Sequence, residues 1–176
     1  MKKILVTGGL GFIGSHTVVE LQNAGLDVVI IDDLSNSSIE VLDNIVEITG
    51  KKPDFHQLDL RIKSDVKEFF NTTKIDGIIH FAAFKAVGES VQKPLEYYEN
   101  NIGSLVYLLQ EMRDRNFDNF IFSSSCTVYG QADELPITEN APVKTAESPY
   151  GNTKQVGEEI IKEACNAHNF NAIALR

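Results

Sequence analysis

A glycine-punctuated turn near the start of the chain constrains the fold more than any other feature of the sequence. Residues 3–7 form a short apolar run, and Gly8, Gly11 and Gly14 follow at intervals of three before an amphipathic stretch begins at Phe12. In such a turn the first glycine permits a tight reversal, the second allows close approach to a pyrophosphate, and the third lets the helix pack on the strand. A helix that begins near Phe12 directs free N–H groups at phosphates. The pattern predicts a strand–turn–helix unit that binds a dinucleotide.

An acidic residue lies where such a unit needs a ligand for ribose. Asp32 ends the next apolar run, close to the ~20-residue spacing expected after the glycines. Its carboxylate would accept hydrogen bonds from the adenosine ribose hydroxyls and would repel a 2′-phosphate. No Lys or Arg lies between Asp32 and Lys51, so the sequence favours NAD over NADP. The alternative for Asp32 is a structural turn or capping residue.

Length and charge exclude several classes of protein. A chain of 176 residues is expected to form one domain with a substantial core. The net charge of −9 argues against a nucleic-acid partner or an anionic membrane surface, because both need a basic field. The two cysteines, Cys126 and Cys165, form neither a disulfide framework nor a zinc spacing, and they favour a cytoplasmic location. No apolar run approaches the ~18 residues of a membrane span. We therefore expect no metal, nucleic acid or membrane partner.

Apolar runs alternate with amphipathic stretches along the whole chain, which predicts an α/β fold with a doubly wound, parallel, Rossmann-type sheet. The predicted strands are residues 3–7, 27–31, 54–58, 77–81, 119–123 and 172–175. The predicted helices are residues 12–24, 38–49, 63–71 and 149–169, with one long helix within residues 94–116. Ligands of such sheets bind at the carboxyl ends of the strands, so the residues that follow each strand are the candidates for a site.

Polar residues follow several of these strands. Asp59 follows the third strand, where a side chain can reach an adenine edge, although a helix cap is an equal alternative. Lys85 follows the fourth strand, and its spacing alone favours a solvated surface lysine. Hydroxyls cluster at Ser123, Ser124 and Ser125 after the fifth strand, where a substrate would face the cofactor; the alternative is an ordinary serine-rich turn.

A tyrosine and a lysine share one face at the start of the last predicted helix. Ser148 is a natural N-cap and Pro149 suits the first helical position, so Tyr150 and Lys154 are neighbours at positions i and i+4. A nearby ammonium and the helix N-terminus both favour the phenolate. Such a tyrosine can act as a general base on a sugar or alcohol hydroxyl. Because Tyr-x-x-x-Lys is frequent by chance, an exposed helical pair is the alternative.

Three motifs together resemble the extended short-chain dehydrogenase/reductase family: the glycine turn of residues 7–14, the serine run, and Tyr150-x-x-x-Lys154. Within that family, residues 80–98 and 123–130 are similar to the corresponding segments of the UDP-glucose 4-epimerases. The resemblance covers essentially the whole chain. It implies a tightly bound NAD, a UDP-sugar substrate and a place in galactose metabolism.

The resemblance also implies a reaction. Tyr150 takes the proton of the sugar 4-hydroxyl, Ser125 hydrogen-bonds the same oxygen, and Lys154 holds the nicotinamide ribose. NAD⁺ accepts the C4 hydride and returns it to the other face of the bound 4-keto sugar. The implied cofactor contacts are Gly8, Gly11, Phe12, Ile13 and Gly14 at the pyrophosphate, Asp32, Asp33, Leu34, Ser35, Asn36 and Ser37 on the adenosine ribose side, Asp59 and Leu60 at the adenine, and Phe81, Ala82, Ala83, Lys85, Asn100, Ser123, Tyr150 and Lys154 along the remainder. The implied substrate contacts are Lys85, Ser125 and Tyr150.

Other activities within the resemblance can be weighed from residues. Sugar-nucleotide 4,6-dehydratases carry an Asp-Glu pair where this chain has Cys126 and Thr127, which cannot supply the acid and base for elimination. A 4-epimerase of another UDP-sugar, such as an N-acetylhexosamine or a uronate, stays open. A domain that only binds NAD without turnover is a further alternative.

The family also carries a C-terminal domain that grips the uridine diphosphate. Because the sequence ends at Arg176, we expect residues 1–176 to be the N-terminal, NAD-binding domain of a longer epimerase. On its own the chain is expected to bind NAD and to be inactive. Members of the family often dimerise, so a homodimer of the full-length protein is expected through the helices of residues 94–116 and 149–169.

Overall fold

The computed structural model describes residues 2–176 as a six-stranded, fully parallel sheet in the order β3-β2-β1-β4-β5-β6. The strands are β1 (Lys3–Thr7), β2 (Asp27–Asp32), β3 (Asp54–Gln57), β4 (Gly77–His80), β5 (Asn119–Ser123) and β6 (Asn171–Leu175). The helices are α1 (Phe12–Asn23), α2 (Glu40–Thr49), α3 (Lys63–Thr72), α4 (Val87–Gln92), α5 (Pro94–Tyr98), α6 (Ser104–Arg115) and α7 (Pro149–His168). The predicted doubly wound, Rossmann-type sheet is confirmed, and its strand order is that of the dinucleotide-binding folds.

Two segments differ from the sequence prediction. Residues 87–92 form the short helix α4, which the apolar pattern does not indicate. The single helix expected within residues 94–116 consists of α5, one π-helical segment (Glu99–Gly103) and α6 in direct succession. Extra residues in one turn of a helix often accompany functional sites, and this segment contains Asn100.

Both faces of the sheet are buried, because alternate strand residues point to opposite sides. Leu5, Val29 and Ile31 belong to one apolar cluster, which continues into α3, α6 and α7. Val6 and Ile30 belong to the other, which continues into α1 and α2. Each such side chain stabilises the fold by about 1.5–3 kcal/mol, so the central strands are held rigidly.

The helix ends follow the predicted capping chemistry. The Ser148 hydroxyl accepts a hydrogen bond from the Gly151 N–H at 3.1 Å, and Pro149 is the first residue of α7. Gly25 and Gly50 adopt φ of 79° and 67° after α1 and α2, as C-terminal glycines do. Helix α2 begins two residues later than predicted, since Ser38 belongs to the preceding turn.

Within residues 2–176, none of the helices combines the length and apolar character that a bilayer crossing demands.

Candidate active site

The glycine turn after β1 is built so closely that side chains would not fit. Gly8 has φ of 66°, and a Cβ there would lie 2.8 Å from the backbone nitrogen of Ala82. A Cβ on Gly14 would overlap the carbonyl oxygen of Gly8. The Gly8 N–H donates to the Ile31 carbonyl at 2.8 Å, and the Gly11 N–H donates to the Gly8 carbonyl at 3.1 Å. The turn is therefore held against β2 and the loop after β4.

The start of α1 leaves donors available to an anion. Gly11 is the N-cap and supplies no side-chain acceptor, so the first N–H groups of the helix lack a capping partner. The side chains of Phe12 and Ile13 are 78% and 59% exposed. A narrow glycine cradle beside free helical N–H groups is the arrangement that fits a pyrophosphate.

Asp32 sits at the end of β2 and organises the backbone around it. Its residue is only 7% exposed. Oδ2 accepts the N–H of Leu10, in the glycine turn, at 3.0 Å, and Oδ1 accepts the Leu34 N–H at 3.0 Å and the Ser37 hydroxyl at 2.7 Å. Each carboxylate oxygen has two lone pairs, so capacity is left for a ribose hydroxyl. The turn alternative and the ribose ligand are thus compatible roles.

The loop after Asp32 is fixed by short-range bonds. Asp33 accepts both the N–H and the hydroxyl of Ser35, at 2.9 and 2.7 Å. Leu34 adopts a backbone φ of 62°, which residues other than glycine rarely do. Ser35 and Asn36 are exposed at the tip of the loop.

Asp59 follows β3 and forms a two-pronged ion pair with Arg61. The Arg61 Nε and Nη2 donate to its carboxylate at 3.0 and 2.7 Å. These bonds hold the pKa of Asp59 below its ordinary value. The backbone N–H of Arg61 also donates to the Asp59 carboxylate. Asp59 therefore stabilises a local turn and is not the N-cap of α3, which is Ile62. Leu60, next in sequence, is buried in the core.

The loop after β4 passes close to the glycine turn. Phe81, Ala82 and Ala83 are half-buried, and Lys85 is exposed. The buried Asn101 holds this loop: its Oδ1 accepts the Phe84 N–H at 2.8 Å, and its Nδ2 donates to the Phe84 carbonyl at 3.0 Å.

The same Nδ2 of Asn101 donates to the Thr153 hydroxyl at 3.0 Å, which joins the loop after β4 to α7. Asn100 donates to the Asn101 amide oxygen at 3.0 Å. Asn100 was predicted from the sequence as a cofactor contact, whereas Asn101 was not predicted. Its only signal is its position beside Asn100, because a buried amide that bridges distant segments leaves no local pattern.

Lys154 is the most unusual charged group of the site. It is 4% exposed, and its Nζ donates to the Ser123 carbonyl at the end of β5, at 2.8 Å. The ammonium lies 4.8 Å from the centroid of the Phe122 ring and 5.9 Å from that of Tyr150. Burial lowers the pKa of Lys154 to about 8. The Tyr150 and Lys154 pair therefore does not form the exposed helical pair of the alternative interpretation.

A buried histidine connects this lysine with the glycine turn. His80 ends β4, and its Nδ1 lies 2.7 Å from the hydroxyl of Thr7, the residue before Gly8. Its ring stacks on Phe122 with centroids 6.1 Å apart. Burial, aided by the charge of Lys154, lowers the pKa of His80 to about 3. Contacts thus run from the glycine turn through His80 and Phe122 to Lys154.

The serine run supplies different contacts at each position. Ser123 holds Lys154 through its carbonyl, and Ser124 donates its hydroxyl to Glu158 of α7. The Ser125 oxygen accepts the N–H and the hydroxyl of Thr127 at 3.2 and 2.9 Å, so its own proton is available to a ligand. Within residues 2–176, no hydrogen bond links Ser125 directly to Tyr150 or Lys154.

Comparison with known proteins identifies the family to which the chain is similar. Residues 4–176 match the model of the NAD dependent epimerase/dehydratase family. UDP-glucose 4-epimerase of Pasteurella multocida is 50% identical over 164 residues, which are 93% of this chain and 48% of that protein. The chain spans about half the length of the curated relatives it matches.

Solved structures of epimerases are also similar to this chain. UDP-glucose 4-epimerase of Bifidobacterium longum, in complex with NAD⁺ and UDP, superposes with a TM-score of 0.96 at 44% identity, over 99% of this chain and 52% of that one. The UDP-Glc/GlcNAc 4-epimerase of Campylobacter jejuni superposes with a TM-score of 0.94 at 33% identity, over 100% of this chain and 53% of that one. The chain belongs to the NAD dependent epimerase/dehydratase family.

Proposed function

We propose that residues 1–176 are the NAD-binding domain of a UDP-glucose/UDP-galactose 4-epimerase and carry its catalytic groups. The observation that carries this proposal is the contact of Lys154 with Ser123, because it holds the Tyr150–Lys154 face of α7 against the end of β5. Through Phe122 and His80 the same face is connected to the glycine turn. A general base and a phosphate cradle then serve one ligand.

The cofactor is NAD rather than NADP in this proposal. The cradle of Gly8, Gly11 and Gly14 with the first N–H groups of α1 suits the pyrophosphate, and Asp32 suits the adenosine ribose. A 2′-phosphate would meet the Asp32 and Asp33 carboxylates. The nearby Arg61 guanidinium is engaged by Asp59, so it is not free to hold that phosphate.

The remaining cofactor contacts divide by position. Leu34, Ser35, Asn36 and Ser37 flank the ribose side, and Asp59 with Leu60 lies beside the adenine. Phe12 and Ile13 cover the pyrophosphate. The residues proposed to line the nicotinamide half are Phe81, Ala82, Ala83, Lys85, Asn100, Ser123, Tyr150 and Lys154.

The chain's own residues move the proton of the reaction. In the phenolate form, Tyr150 accepts the proton of the sugar 4-hydroxyl and later returns it. The free proton of Ser125 is donated to the same oxygen and, with Lys85 near the sugar, fixes its orientation. NAD⁺, when bound, would supply the hydride acceptor for C4 and, once reduced, the hydride donor for the opposite face. We assign the buried Lys154 ammonium to the nicotinamide ribose; it lies 5.9 Å from the centroid of the Tyr150 ring.

The sugar is proposed to be glucose or galactose, because the relatives near 50% identity are named UDP-glucose 4-epimerases. An N-acetylhexosamine is the second candidate, since the Campylobacter jejuni relative is named a UDP-Glc/GlcNAc 4-epimerase. The activity would serve galactose metabolism. Both cysteines are free thiols in the structure, which supports a cytoplasmic location.

A homodimer of the longer protein is also proposed. Val91 of α4 and Leu95 of α5 are 62% and 78% exposed, and neighbouring exposed apolar side chains favour a protein interface. Helix α7 contributes no large hydrophobic side chain to the exposed set among residues 2–176. The proposed interface therefore centres on α4 and α5 rather than on both long helices.

The test is the interconversion of UDP-galactose and UDP-glucose, followed by NMR of the anomeric protons. Residues 1–176 should bind NAD⁺ without turnover, whereas the longer protein of which we propose they are part should turn over. In that longer protein Tyr150→Phe should lower kcat by about a hundredfold or more and leave NAD⁺ bound. UDP-N-acetylgalactosamine run in parallel identifies the sugar. Unchanged kcat in Tyr150→Phe would contradict the assignment.

A further inference from the structure

Four elements meet at a polar cluster behind the serine run. The Ser124 hydroxyl, in a residue 8% exposed, donates to the Glu158 carboxylate. Glu158 stands one helical turn after Lys154 on α7, and its side chain is 16% exposed. Arg176, directly after β6, donates its Nη2 to Oε2 of Glu158 at 2.6 Å and its Nε to Oε1 at 3.0 Å.

The same arginine also holds the turn that follows Ser125. Its Nη1 donates to the Tyr129 hydroxyl at 3.2 Å, and its guanidinium carbon lies 5.1 Å from the centroid of the Tyr129 ring. Tyr129 closes the 3₁₀ turn Cys126–Tyr129 and is 4% exposed. The 3₁₀ turn is thus held on both sides, by Ser124 just before it and by Tyr129 at its last position.

These contacts flank the proposed catalytic groups without including them. Ser124 lies between Ser123, whose carbonyl accepts a hydrogen bond from Lys154, and Ser125, whose hydroxyl we assign to the substrate. A shift of Ser124 would move both neighbours relative to α7. A two-pronged guanidinium–carboxylate pair is directional as well as strong, so it can fix a loop against a helix.

We propose that Ser124, Glu158 and Arg176 form a positioning cluster that holds the serine run against α7 and thereby sets the placement of Ser125 relative to Tyr150 and Lys154. This inference rests on the proposed function, since it assigns the cluster to the same site. None of the three residues is a catalytic residue, because each acts through its neighbours.

The chain provides closely matched controls. Glu111 and Arg115 of α6 form another glutamate–arginine ion pair, here between positions i and i+4, with Nε to Oε2 at 2.9 Å and side chains 9% and 29% exposed. Ser90 is 0% exposed, and its hydroxyl donates to the Val87 carbonyl at 2.6 Å. Ser124→Ala is therefore compared with Ser90→Ala, and Glu158→Gln with Glu111→Gln.

The experiment measures NAD⁺ affinity by calorimetry and unfolding in urea for residues 1–176 and these four variants. We expect the NAD⁺ Kd to rise about fivefold to tenfold in Ser124→Ala and Glu158→Gln. In the controls Ser90→Ala and Glu111→Gln, the Kd should be unchanged although the loss of stability is similar. In a Lys154→Met background, Ser124→Ala should have no further effect on the Kd, because the cluster acts through the lysine. Equal Kd values in cluster and control variants, or full additivity with Lys154→Met, would overturn the proposal.

A second readout separates this inference from the proposed function. If the unmutated chain binds no NAD⁺, the proposed cofactor role fails, and hydrogen exchange of the amides of residues 125–129 then decides the cluster. Faster exchange there in Ser124→Ala and Glu158→Gln than in the controls supports it. Exchange equal to that of the controls overturns it.

Discussion

Helix α1 can pack closely against the glycine turn only because Gly14 has no side chain. A Cβ there would overlap the Gly8 carbonyl oxygen, which is backbone and cannot rotate away. Gly103, in the π-helical segment, has nothing within 4 Å of the same position. Substitutions at Gly14 and Gly103 therefore test, as variant and control, whether the turn requires a glycine at position 14.

We expect Gly14→Ala to destabilise the fold by about 2 kcal/mol or more through overpacking, and to weaken NAD⁺ binding with it. Gly103→Ala should be neutral or stabilising by up to about 1 kcal/mol, since alanine restricts the unfolded chain. Urea unfolding of both variants checks this. Equal stability of the two variants would show that the close approach at Gly14 is not rigid.

The buried ammonium of Lys154 makes stability depend on alkaline pH. The pKa of Lys154 is lowered to about 8 by burial, from the ordinary value of 10.5. Between these values the unfolded chain keeps a proton that the folded chain has lost, so stability rises with pH. Below about pH 8 the cost of burying the charge is fully present.

Relative to Lys154→Met, the unmutated chain should gain about 1.4 kcal/mol for each pH unit crossed in that window. Urea unfolding from pH 7 to 10.5 measures the difference. A pH-independent difference between the two proteins would mean that Lys154 is not buried as a charge.

The buried His80 makes stability depend on pH on the acidic side of neutrality, in the same direction as Lys154. Its pKa is lowered to about 3 by burial, from 6.5, so below pH 6.5 the unfolded chain takes up a proton that the folded chain cannot. Stability should fall as the pH drops from 6.5 towards 3, and His80→Asn should lose less over that range. His168→Asn, at the exposed end of α7, is the control. Identical acid unfolding of all three proteins would refute this role of His80.

Residues with a local pattern could be predicted, and residues whose partners are distant in sequence could not. The glycine spacing, Ser148 as N-cap and the shared face of Tyr150 and Lys154 follow from the periodicity of strands and helices. The Ser123 carbonyl as the partner of Lys154 does not, because the two residues are 31 positions apart and the acceptor is backbone. Asn101 and Glu158 were missed for the same reason.

At the scale of elements, the strands were predicted because both faces of the sheet are buried. A run such as residues 28–31 is β-branched throughout and packs on helices from either side. The predicted ends differ from the observed ones by one residue or a few. The π-helical segment Glu99–Gly103 could not be predicted, since its one poor helix former, Gly103, does not distinguish an extra residue from a helix end, and Asn101 bonds to elements distant in sequence.

Helix α7 begins at the site, so its cap affects both stability and function. Ser148→Ala removes the acceptor of the Gly151 N–H and should cost about 1 kcal/mol. Ser148→Asp retains an acceptor and should restore most of that loss. Urea unfolding of the two variants checks the cap, and equal destabilisation by both would mean that the hydroxyl bond contributes little.

At the scale of the whole molecule, two exposed apolar surfaces predict different kinds of association. Among residues 2–176, β6 has β5 as its one strand neighbour, and Ile173 and Leu175 on it are 59% and 53% exposed. An open, apolar edge favours indefinite strand pairing. Val91 and Leu95 favour a closed dimer instead.

Sedimentation of residues 1–176 distinguishes the two surfaces. Ile173→Lys should abolish concentration-dependent aggregates larger than a dimer, and Leu95→Glu should convert a dimer to a monomer without affecting those aggregates. If Leu95→Glu leaves a dimer intact, the proposed interface of α4 and α5 is wrong.

The proposal that this domain holds NAD is tested most directly by titrating NAD⁺ into residues 1–176 in a calorimeter, with NADP⁺, Asp32→Ala and Tyr150→Phe beside it. We predict saturable one-to-one binding of NAD⁺, weaker binding of NADP⁺, a loss of affinity in Asp32→Ala, and little change in Tyr150→Phe. Urea unfolding of Asp32→Ala separates lost affinity from a lost fold. No saturable binding of NAD⁺ by the folded, unmutated chain would contradict the account.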